Sequence, residues 1–353
     1  TSAGEIPTIV SQAFHLALSG EPGPTAVVVP YNLFIEVCNY HCPPLAAPAL
    51  PFDDDAFRAA LALLANRKLR VGIYAGVGCM NAAHELESVA ELLQAPVATS
   101  VSGKGVIPET HPLAVGWGYG PQGTRVAEKM FQEVDLVLAI GVKYSEVSTG
   151  FYSIPKHRHL IHVDANPDNL GRVVKPEVRV HADAGLFLGR LLAEADCLRR
   201  PLNRHLREKI AARKREEQHK NAAPLSACGV DPMLFILALR RCANADALTF
   251  VDVTAAEHWA AEAYSALAPR TYFNPTDNQA MGWSIPASIG AQRVFPGRQT
   301  VTITGDGCFL MSALEISTAA RESLPVKFFL LDDQAYHYMQ ALQKPAYLRT
   351  TAT

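Results

Sequence analysis

The pattern of apolar and polar positions is most regular between residues 299 and 335. A β-branched apolar run over residues 299–304 predicts a buried strand. Apolar spacing over residues 310–320 predicts a helix, with Ser312 as its N-cap. A proline ends this helix, and the apolar run 326–331 predicts a second buried strand. A strand, helix and strand joined so closely predict two parallel, neighbouring strands.

Glycine and acidic residues follow these two strands. Gly305-Asp306-Gly307 comes after the first strand, and Asp332-Asp333 comes after the second. Parallel strands end at the same edge of a sheet, which is where open α/β sheets bind ligands. Two carboxylates that meet there suit Mg²⁺ and a diphosphate. The pattern alone fits an ordinary turn and an acidic strand end equally well, because short glycine motifs are common.

Similar alternation before this segment predicts an α/β fold with two doubly wound parallel-sheet domains, preceded by the tail of a third. The first domain has predicted strands at 70–75, 96–100, 135–142, 159–164 and 178–181 and predicted helices at 81–93 and 122–131. The second has predicted helices at 232–242 and 257–267 and a predicted strand at 247–253, all before the segment just described.

The N-terminal part of the chain has too few elements for a core of its own. A predicted helix at 8–19 and a predicted strand at 25–29 are expected to close a domain that begins elsewhere. The predicted organisation is a domain tail at 1–32, a linker at 33–51, a middle domain at 52–195, a basic connector at 196–230 and a diphosphate-binding domain at 231–353, expected to be incomplete.

Composition narrows the range of partners. The 353 residues are 49% hydrophobic and 19% charged, and a formal net charge of −2 gives no reason to expect nucleic acid or an anionic membrane as partner. No apolar run approaches the ~20 residues of a membrane span. Seven cysteines, an odd number, indicate a reducing compartment, so we expect a cytoplasmic protein.

Two local patterns suggest other functions. Residues 198–220 contain nine Lys/Arg and three Glu, but without an aromatic or apolar face they predict a solvated connector instead of an RNA or membrane contact. Cys38, His41 and Cys42 lie close together, as in some zinc sites. We favour an ordinary thiol-containing linker, because no second Cys/His pair follows at a useful spacing.

The glycine–aspartate segment resembles the thiamine-diphosphate motif of the acetolactate synthase family, in which Gly-Asp-Gly is followed by 24 residues and a paired acid or amide position. The resemblance implies that the side chains of Asp306 and Asp333 and the backbone carbonyl of Ala335 bind Mg²⁺. The implied cofactor contacts here are Gly305, Asp306, Gly307, Cys308 and Asp333. This chain has Asp332-Asp333 where the family has Asn-Asn, and the extra charge works against diphosphate.

The segment 278–291 is similar to a second motif of that family, Met-Gly followed by Pro-Ala and Gly-Ala. The resemblance implies that Met281 supports the bent conformation of thiamine diphosphate and that the carbonyl of Gln279 holds its aminopyrimidine. Taken by itself, a methionine in such a segment is usually core filler.

The first α/β domain resembles the middle domain of the same family over residues 103–123, 133–150 and 159–171. Some members bind FAD there, with two arginines where residues 143–147 of this chain read Lys-Tyr-Ser-Glu-Val. Because both bidentate anion donors are missing, we expect no FAD. The Gly76-Val77-Gly78 turn lacks the third glycine of a dinucleotide fingerprint and indicates nucleotide binding only weakly.

The N-terminal segment resembles the close of the family's pyrimidine-binding domain, which carries the glutamate that activates the cofactor. No residue of this chain matches that glutamate, so we assign no catalytic residue and expect the chain to be truncated at both ends. The resemblance implies a C–C bond lyase or ligase that depends on thiamine diphosphate and Mg²⁺, acts on a 2-oxo acid and assembles as a homodimer or homotetramer.

Three alternatives stay open. One is a 2-oxo acid decarboxylase or a 2-hydroxyacyl-CoA lyase of the same superfamily. Another is a non-catalytic module whose middle domain binds ADP or a dinucleotide. The third is a degenerate homologue kept for assembly.

Overall fold

Ten short strands form two sheets in the computed structural model, which describes residues 2–40, 45, 49–150, 152–221 and 229–350. The strands are β1 Val71–Ala75, β2 Val97–Thr99, β3 Ala114–Trp117, β4 Leu136–Ile140, β5 His159–Asp164, β6 Val178–His181, β7 Leu248–Val251, β8 Tyr272–Phe273, β9 Thr300–Gly305 and β10 Lys327–Leu331. The sheet orders are β3-β2-β1-β4-β5-β6 and β10-β9-β7-β8, and all pairings are parallel. The predicted α/β class is confirmed.

The helices alternate with these strands, and several begin at an aspartate. The helices are α1 Ile6–Leu18, α2 Asp54–Ala65, α3 Ala83–Leu93, α4 Arg125–Phe131, α5 Ala184–Ala193, α6 Ala195–Leu198, α7 Arg204–Asn221, α8 Pro232–Cys242, α9 Ala255–Ala263, α10 Ser284–Val294, α11 Asp306–Ser312, α12 Ile316–Arg321 and α13 His337–Tyr347. Asp53, Asp183 and Asp231 cap α2, α5 and α8, each accepting from the backbone N–H three residues on. Such caps explain why these helices start where they do.

The larger sheet lies in the main hydrophobic core. Strands β1 and β4 are buried along their whole length, as expected of parallel strands covered on both faces. Helices α3 and α5 contribute Leu86, Val89 and Phe187 to this core. A smaller core under α8 and α9 supports the second sheet.

The two sheets are joined by polar contacts at a buried boundary. The Glu109 N–H donates to the Ala266 carbonyl (3.0 Å), and the Ala266 N–H donates to a Glu109 carboxylate oxygen (2.7 Å). Lys104, which is almost fully buried, pairs with Glu109 and donates to the Ala261 carbonyl at 3.0 Å. The domain boundaries themselves stay predictions.

The predicted helix over 310–320 was wrong about its start. Helix α11 begins at Asp306 with Gly305 as its N-cap, and it ends at Ser312, where a 3₁₀ turn leads into α12. Ser312 therefore ends one helix and makes no cap hydrogen bond. Leu310 and Leu314, whose spacing suggested one continuous helix, are exposed. The prediction failed because α11 and α12 both carry apolar residues, so the apolar spacing in the sequence continues across the break between them.

Two other predictions need correction. Residues 25–29 do not form a strand, since no described strand pairs with them and an extended segment needs a neighbour to complete its hydrogen bonds. The basic segment is not merely solvated: α7 buries Ile210 and its Lys214 ammonium donates to the Glu109 carbonyl at 2.8 Å. Burial lowers the pKa of Lys214. Glu91 and Glu133, which pair with Arg207 and Lys209 of α7, are distant in sequence, and this distance hid the packing.

Two expectations concern membranes and zinc. Across the described ranges, no helix has both the length and the apolar character needed to cross a bilayer. Cys38 is exposed, whereas His41 and Cys42 lie outside the described residues.

Candidate cofactor site

The strand order of the smaller sheet reverses between β7 and β9. The chain leaves β7 toward β8 on one side, and it leaves β9 toward β10 on the other. The loops that follow β7 and β9 therefore diverge and leave a crevice at the carboxyl edge of the sheet. The order of elements alone thus places a ligand site beside residues 252–254 and 306–307.

A cavity of about 1060 Å³ lies at this edge. Its volume is at the upper end of small-molecule sites, which are roughly 300–1,000 Å³. The predicted site residues that line it are Gln279, Met281, Gly305, Asp306, Gly307, Asp333 and Ala335. Residues separated by up to 56 positions therefore meet in one cavity. For the two acidic motifs, the sequence predicted this meeting from the adjacency of their strands.

The strand register explains how the two acidic motifs meet. Leu331 pairs with Gly305, so Asp306 and Asp332 are the first residues beyond the ladder and Asp333 is the next. Across the described part of the chain, no cluster of three His, Cys, Asp or Glu side chains could hold a metal. A metal here would therefore depend on two carboxylates and on backbone or ligand oxygens.

Both carboxylates already have local partners. Asp306 accepts from the Gly307 N–H at 2.7 Å, and Asp333 accepts from the Ala335 N–H at 3.3 Å. Asp333 also lies 3.1 Å from the His337 ring nitrogen Nδ1. Hard oxygen donors of this kind fit Mg²⁺. The His337 ring, however, contacts one of the two Asp333 oxygens, Oδ2. Sequence reasoning did not foresee this contact.

The glycines of this motif are required by close packing. A Cβ on Gly305 would lie 2.9 Å from the Thr254 methyl, and one on Gly307 would lie 2.8 Å from the Tyr336 ring. The same Cβ on Gly307 would lie 3.8 Å from the Met281 methyl. Both glycines line the cavity, and backbone without a side chain lets a diphosphate approach closely.

Cys308 comes directly after Gly307. Its side chain is fully buried, and its thiol donates to the Val253 carbonyl at 2.9 Å. Burial raises the pKa of this thiol to about 12, so it stays protonated at neutral pH. Cys308 is not among the residues that line the cavity, so its predicted cofactor contact stays a prediction.

Asp252, the residue that follows β7, supports the loop beside the cavity, a role that sequence reasoning did not assign to it. It is fully buried and accepts from the N–H groups of Val253, Gly282 and Ser284 at 2.9–3.1 Å and from the Ser284 hydroxyl at 2.7 Å. This carboxylate fixes the turn that follows Met281 and starts α10. Gly282 and Ser284 are about 30 residues away from Asp252, so no local signal revealed the role.

The outer part of the cavity is apolar and aromatic. Phe235, Trp259, Phe328 and Phe329 contribute to its wall. Tyr338 closes one side, and its hydroxyl lies 3.2 Å from Nε2 of His258 on α9. Burial lowers the pKa of His258, which keeps the imidazole neutral at pH 7. Such a wall excludes water from a bound ligand.

The larger sheet also reverses its strand order, between β1 and β4, but its crevice is closed. A Cβ on Gly76 would lie 1.9 Å from the Gly141 carbonyl oxygen, and one on Gly78 would lie 2.7 Å from the Gly141 Cα. The glycines of this turn therefore serve loop-to-loop contact. Beside them, Lys143 pairs with Glu21 of the N-terminal segment.

Comparison with known proteins agrees with this architecture. The family model described as "Thiamine pyrophosphate enzyme, central domain" matches residues 57–191, and "Thiamine pyrophosphate enzyme, C-terminal TPP binding domain" matches residues 252–353. The first match contains the larger sheet, and the second contains the predicted site residues that line the cavity.

Curated relatives align over nearly the whole chain. The acetolactate synthase isozyme 1 large subunit of Escherichia coli (strain K12) is 30% identical over 96% of this chain and 60% of its own length. The acetolactate synthase large subunit of Parasynechococcus marenigrum (strain WH8102) is 32% identical over 97% and 56%, and acetolactate synthase 1, chloroplastic, of Zea mays is 30% identical over 94% and 53%. The chain spans little more than half the length of these relatives. It belongs to the thiamine pyrophosphate enzymes, of which it carries the central domain and the C-terminal TPP-binding domain.

Proposed function

We propose that this chain is part of an acetolactate synthase-like enzyme that depends on thiamine diphosphate and Mg²⁺ and makes or breaks the C–C bond beside the 2-oxo group of a 2-oxo acid. The observation that carries the proposal is the meeting of the two acidic strand ends with Gln279 and Met281 in one cavity. The similarity to acetolactate synthases supports the reaction class.

The residues present fit the proposed group. Asp306, Asp333 and the Ala335 carbonyl would hold Mg²⁺, while the bare backbone at Gly305 and Gly307 would face the diphosphate. When bound, thiamine diphosphate supplies the electron sink for cleavage beside a carbonyl. The residues of this chain would bind and orient the cofactor and exclude water from it.

Orientation depends on the loop that carries Gln279 and Met281. Asp252 fixes the end of this loop through Gly282 and Ser284, so Met281 is held before any ligand arrives. Pre-organisation of this kind lowers the conformational entropy lost on binding. The aromatic wall at Trp259 excludes water from the ligand, which strengthens electrostatic contacts within the cavity.

Two further features of the whole protein belong to the proposal. We propose that the whole protein forms a homodimer or homotetramer, as the resemblance implies, and that it has no nucleic acid or membrane partner, as the net charge of −2 suggests. A 2-oxo acid decarboxylase or a 2-hydroxyacyl-CoA lyase of the same superfamily is the nearest alternative. The apolar wall suits the carbon skeleton of any of these substrates, so it does not separate them.

The closed crevice of the larger sheet argues against the alternative in which the middle domain binds a nucleotide, because a nucleotide would need that space. Gly76 and Gly141 touch through backbone atoms, and Tyr144, in the segment where the resemblance places FAD donors, is fully buried. We therefore propose that this domain binds neither FAD nor ADP. Asp332 in place of an amide is the feature that favours a degenerate homologue.

Calorimetric titration of the full chain separates these functions. The proposal predicts saturable binding of thiamine diphosphate with Mg²⁺, and no heat of binding from ADP, NAD or FAD. Met281→Ala should weaken cofactor binding, while Met281→Leu, which keeps the volume, should bind nearly as well. Binding of ADP without thiamine diphosphate would favour the nucleotide module, and binding of neither would favour the degenerate homologue.

A further inference from the structure

The loop 274–282 carries both Gln279 and Met281, and Thr276 is its buried anchor. The Gln279 side-chain amide donates to the Thr276 carbonyl at 2.8 Å, and the Gln279 N–H donates to the Pro275 carbonyl at 2.7 Å. Gln279 itself has a positive φ of 50°. This left-handed conformation disfavours a residue with a side chain, so contacts around Thr276 are needed to hold it.

The Thr276 hydroxyl lies between two oxygen atoms. On one side it contacts a carboxyl oxygen of Glu257 on α9, and on the other it contacts the Asn274 side-chain oxygen. A threonine hydroxyl has one proton and can donate to one of these acceptors. The other contact needs a second proton.

The orientation of Asn274 decides where the second proton lies. Its oxygen accepts from the Thr276 N–H at 3.2 Å, and its amide nitrogen donates to the Val101 carbonyl at 3.5 Å. Rotating the amide by 180° would place two donors together at Thr276 and two acceptors together at Val101. Asn274 therefore faces Thr276 as an acceptor and takes the hydroxyl proton. The second proton must come from Glu257.

The surroundings of Glu257 agree with a neutral acid. Burial raises the pKa of Glu257 to about 7 although the Thr276 hydrogen bond acts to lower it, and the carboxylates of Asp252 and Asp277 add to the increase. The other titratable groups that interact with Glu257 are the phenols of Tyr272 and Tyr338, whose pKa values burial raises, so both stay neutral at pH 7. No cation is among these neighbours within the part of the chain that the structure describes.

We propose that Glu257 is held as a carboxylic acid that donates a hydrogen bond to Thr276 and, through Thr276, positions the loop that carries Gln279 and Met281. Glu257 is a positioning residue, because neither its side chain nor Thr276 lines the cavity. The value of this positioning for cofactor binding rests on the proposed function, whereas the protonation state does not.

Ionisation should loosen the loop. When Glu257 loses its proton, its carboxylate and the Asn274 side-chain oxygen compete for the single Thr276 hydroxyl proton, and one contact is lost. The loop should therefore be ordered below about pH 7 and loosened above it. Glutamine at this position would supply a permanent N–H donor of the same shape.

Hydrogen exchange in the full chain without ligand tests the protonation. Amides of residues 276–282 are compared in wild type, Glu257→Gln and Glu257→Ala at about pH 5.5 and about pH 8.5. We expect wild type and Glu257→Gln to match at the lower pH. At the higher pH wild type should exchange about tenfold faster than Glu257→Gln, the effect of losing one hydrogen bond. Glu257→Ala should exchange fast at both. Equal exchange in wild type and Glu257→Gln at both pH values would overturn the proposal.

Glu262→Gln is the matched control. Glu262 lies on the same helix, and burial raises its pKa to about 7 as well, but the charges that act on it are those of Lys104, Glu217 and Glu109 at the domain boundary. Its variant should leave the loop amides as in wild type at both pH values. If Glu262→Gln matched Glu257→Gln at the higher pH, a general stabilisation would explain the exchange and the proposal would fail.

A cofactor titration at the two pH values tests the consequence. Affinity for thiamine diphosphate with Mg²⁺ should fall at the higher pH by about tenfold more in wild type than in Glu257→Gln. Absence of cofactor binding in every variant would contradict the proposed function, while the exchange experiment would still decide the state of Glu257. Equal affinity loss in wild type and Glu257→Gln would refute the positioning role.

Discussion

The two parallel sheets offer the same opportunity for a ligand and use it differently. Each reverses its strand order once, and a crevice is expected at that point in both. In the larger sheet the crevice is closed by direct backbone contact between Gly76 and Gly141. In the smaller sheet the corresponding loops stand apart around a cavity of about 1060 Å³. Strand order thus determines where a site can form, and the loops determine whether it is open.

The largest effect is expected from Asp252→Ala at the open crevice. The change leaves three buried N–H groups and a hydroxyl without their acceptor, which should cost about 3–5 kcal/mol. Urea unfolding measures this loss. Asp246→Ala is the control: its exposed carboxylate makes a 3.8 Å contact with Arg298, so the variant should change stability by less than about 0.5 kcal/mol. Similar losses in both variants would show that Asp252 does not fix the loop.

Gly76→Ala tests the closed crevice. The added methyl would meet a carbonyl oxygen of another loop, which cannot rotate away, so we expect a loss of about 3 kcal/mol. Gly189→Ala is the matched control: a Cβ on this helical glycine meets nothing within 4 Å, and it should stabilise by about 0.5–1 kcal/mol. A tolerated Gly76→Ala would mean that the crevice can open.

The boundary that holds the two sheets together should titrate. Burial raises the pKa of Glu262 to about 7, so the folded state keeps a proton that the unfolded state loses near pH 4.5. This carboxyl therefore adds stability below about pH 4.5, and the contribution is lost as pH rises toward 7. Glu262→Gln should flatten that decline by on the order of 1–3 kcal/mol. Glu257 contributes a decline of the same sign, which should remain.

Glu216→Gln is the comparison for this titration. Hydrogen bonds from Lys220 and Arg213 lower the pKa of Glu216, so Glu216 gains a proton only below the pH range over which Glu262 titrates. The variant should leave the decline between about pH 4.5 and 7 unchanged. An unchanged decline in Glu262→Gln would indicate that Glu262 is ionised in the folded protein.

The smallest effect should come from Glu21→Gln beside the closed crevice. Glu21 pairs with Lys143 and accepts from Asn166 and Asn169 in a partly exposed position, so its neutralisation should cost about 0.5–1 kcal/mol. Because backbone contact closes the crevice, the variant should still show no binding of ADP or FAD. Nucleotide binding by Glu21→Gln would mean that this side chain, and not the backbone, blocks the site.

Sequence reasoning located the open crevice well, because its signals are local. The β-branched strands and their short crossover predicted that Asp306 and Asp333 share one sheet edge, and β9 and β10 are indeed adjacent and parallel. The predicted roles of these residues toward metal and cofactor stay predictions. Pattern reading failed at the start of α11, since apolar spacing does not reveal a helix whose first turn contains Gly307.

The contacts that support the two crevices could not be predicted from the sequence. Asp252 binds a turn about 30 residues away, and Glu257 meets Thr276 across a loop without regular periodicity. The closure at Gly76 likewise depends on Gly141, which a glycine pattern at residues 76–78 does not indicate. Contacts of this kind follow from how loops pack on the sheet, and only the folded chain shows them.

The most direct test of the open crevice as a metal-dependent cofactor site is thermal unfolding with Mg²⁺, with and without thiamine diphosphate. Wild type should gain about 5 °C when both ligands are well above their dissociation constants, and less with Mg²⁺ alone. Asp306→Ala should lose this gain. Asp332→Asn, which removes a neighbouring charge but no predicted ligand, should keep it or increase it. An equal gain in wild type and Asp306→Ala would contradict the account.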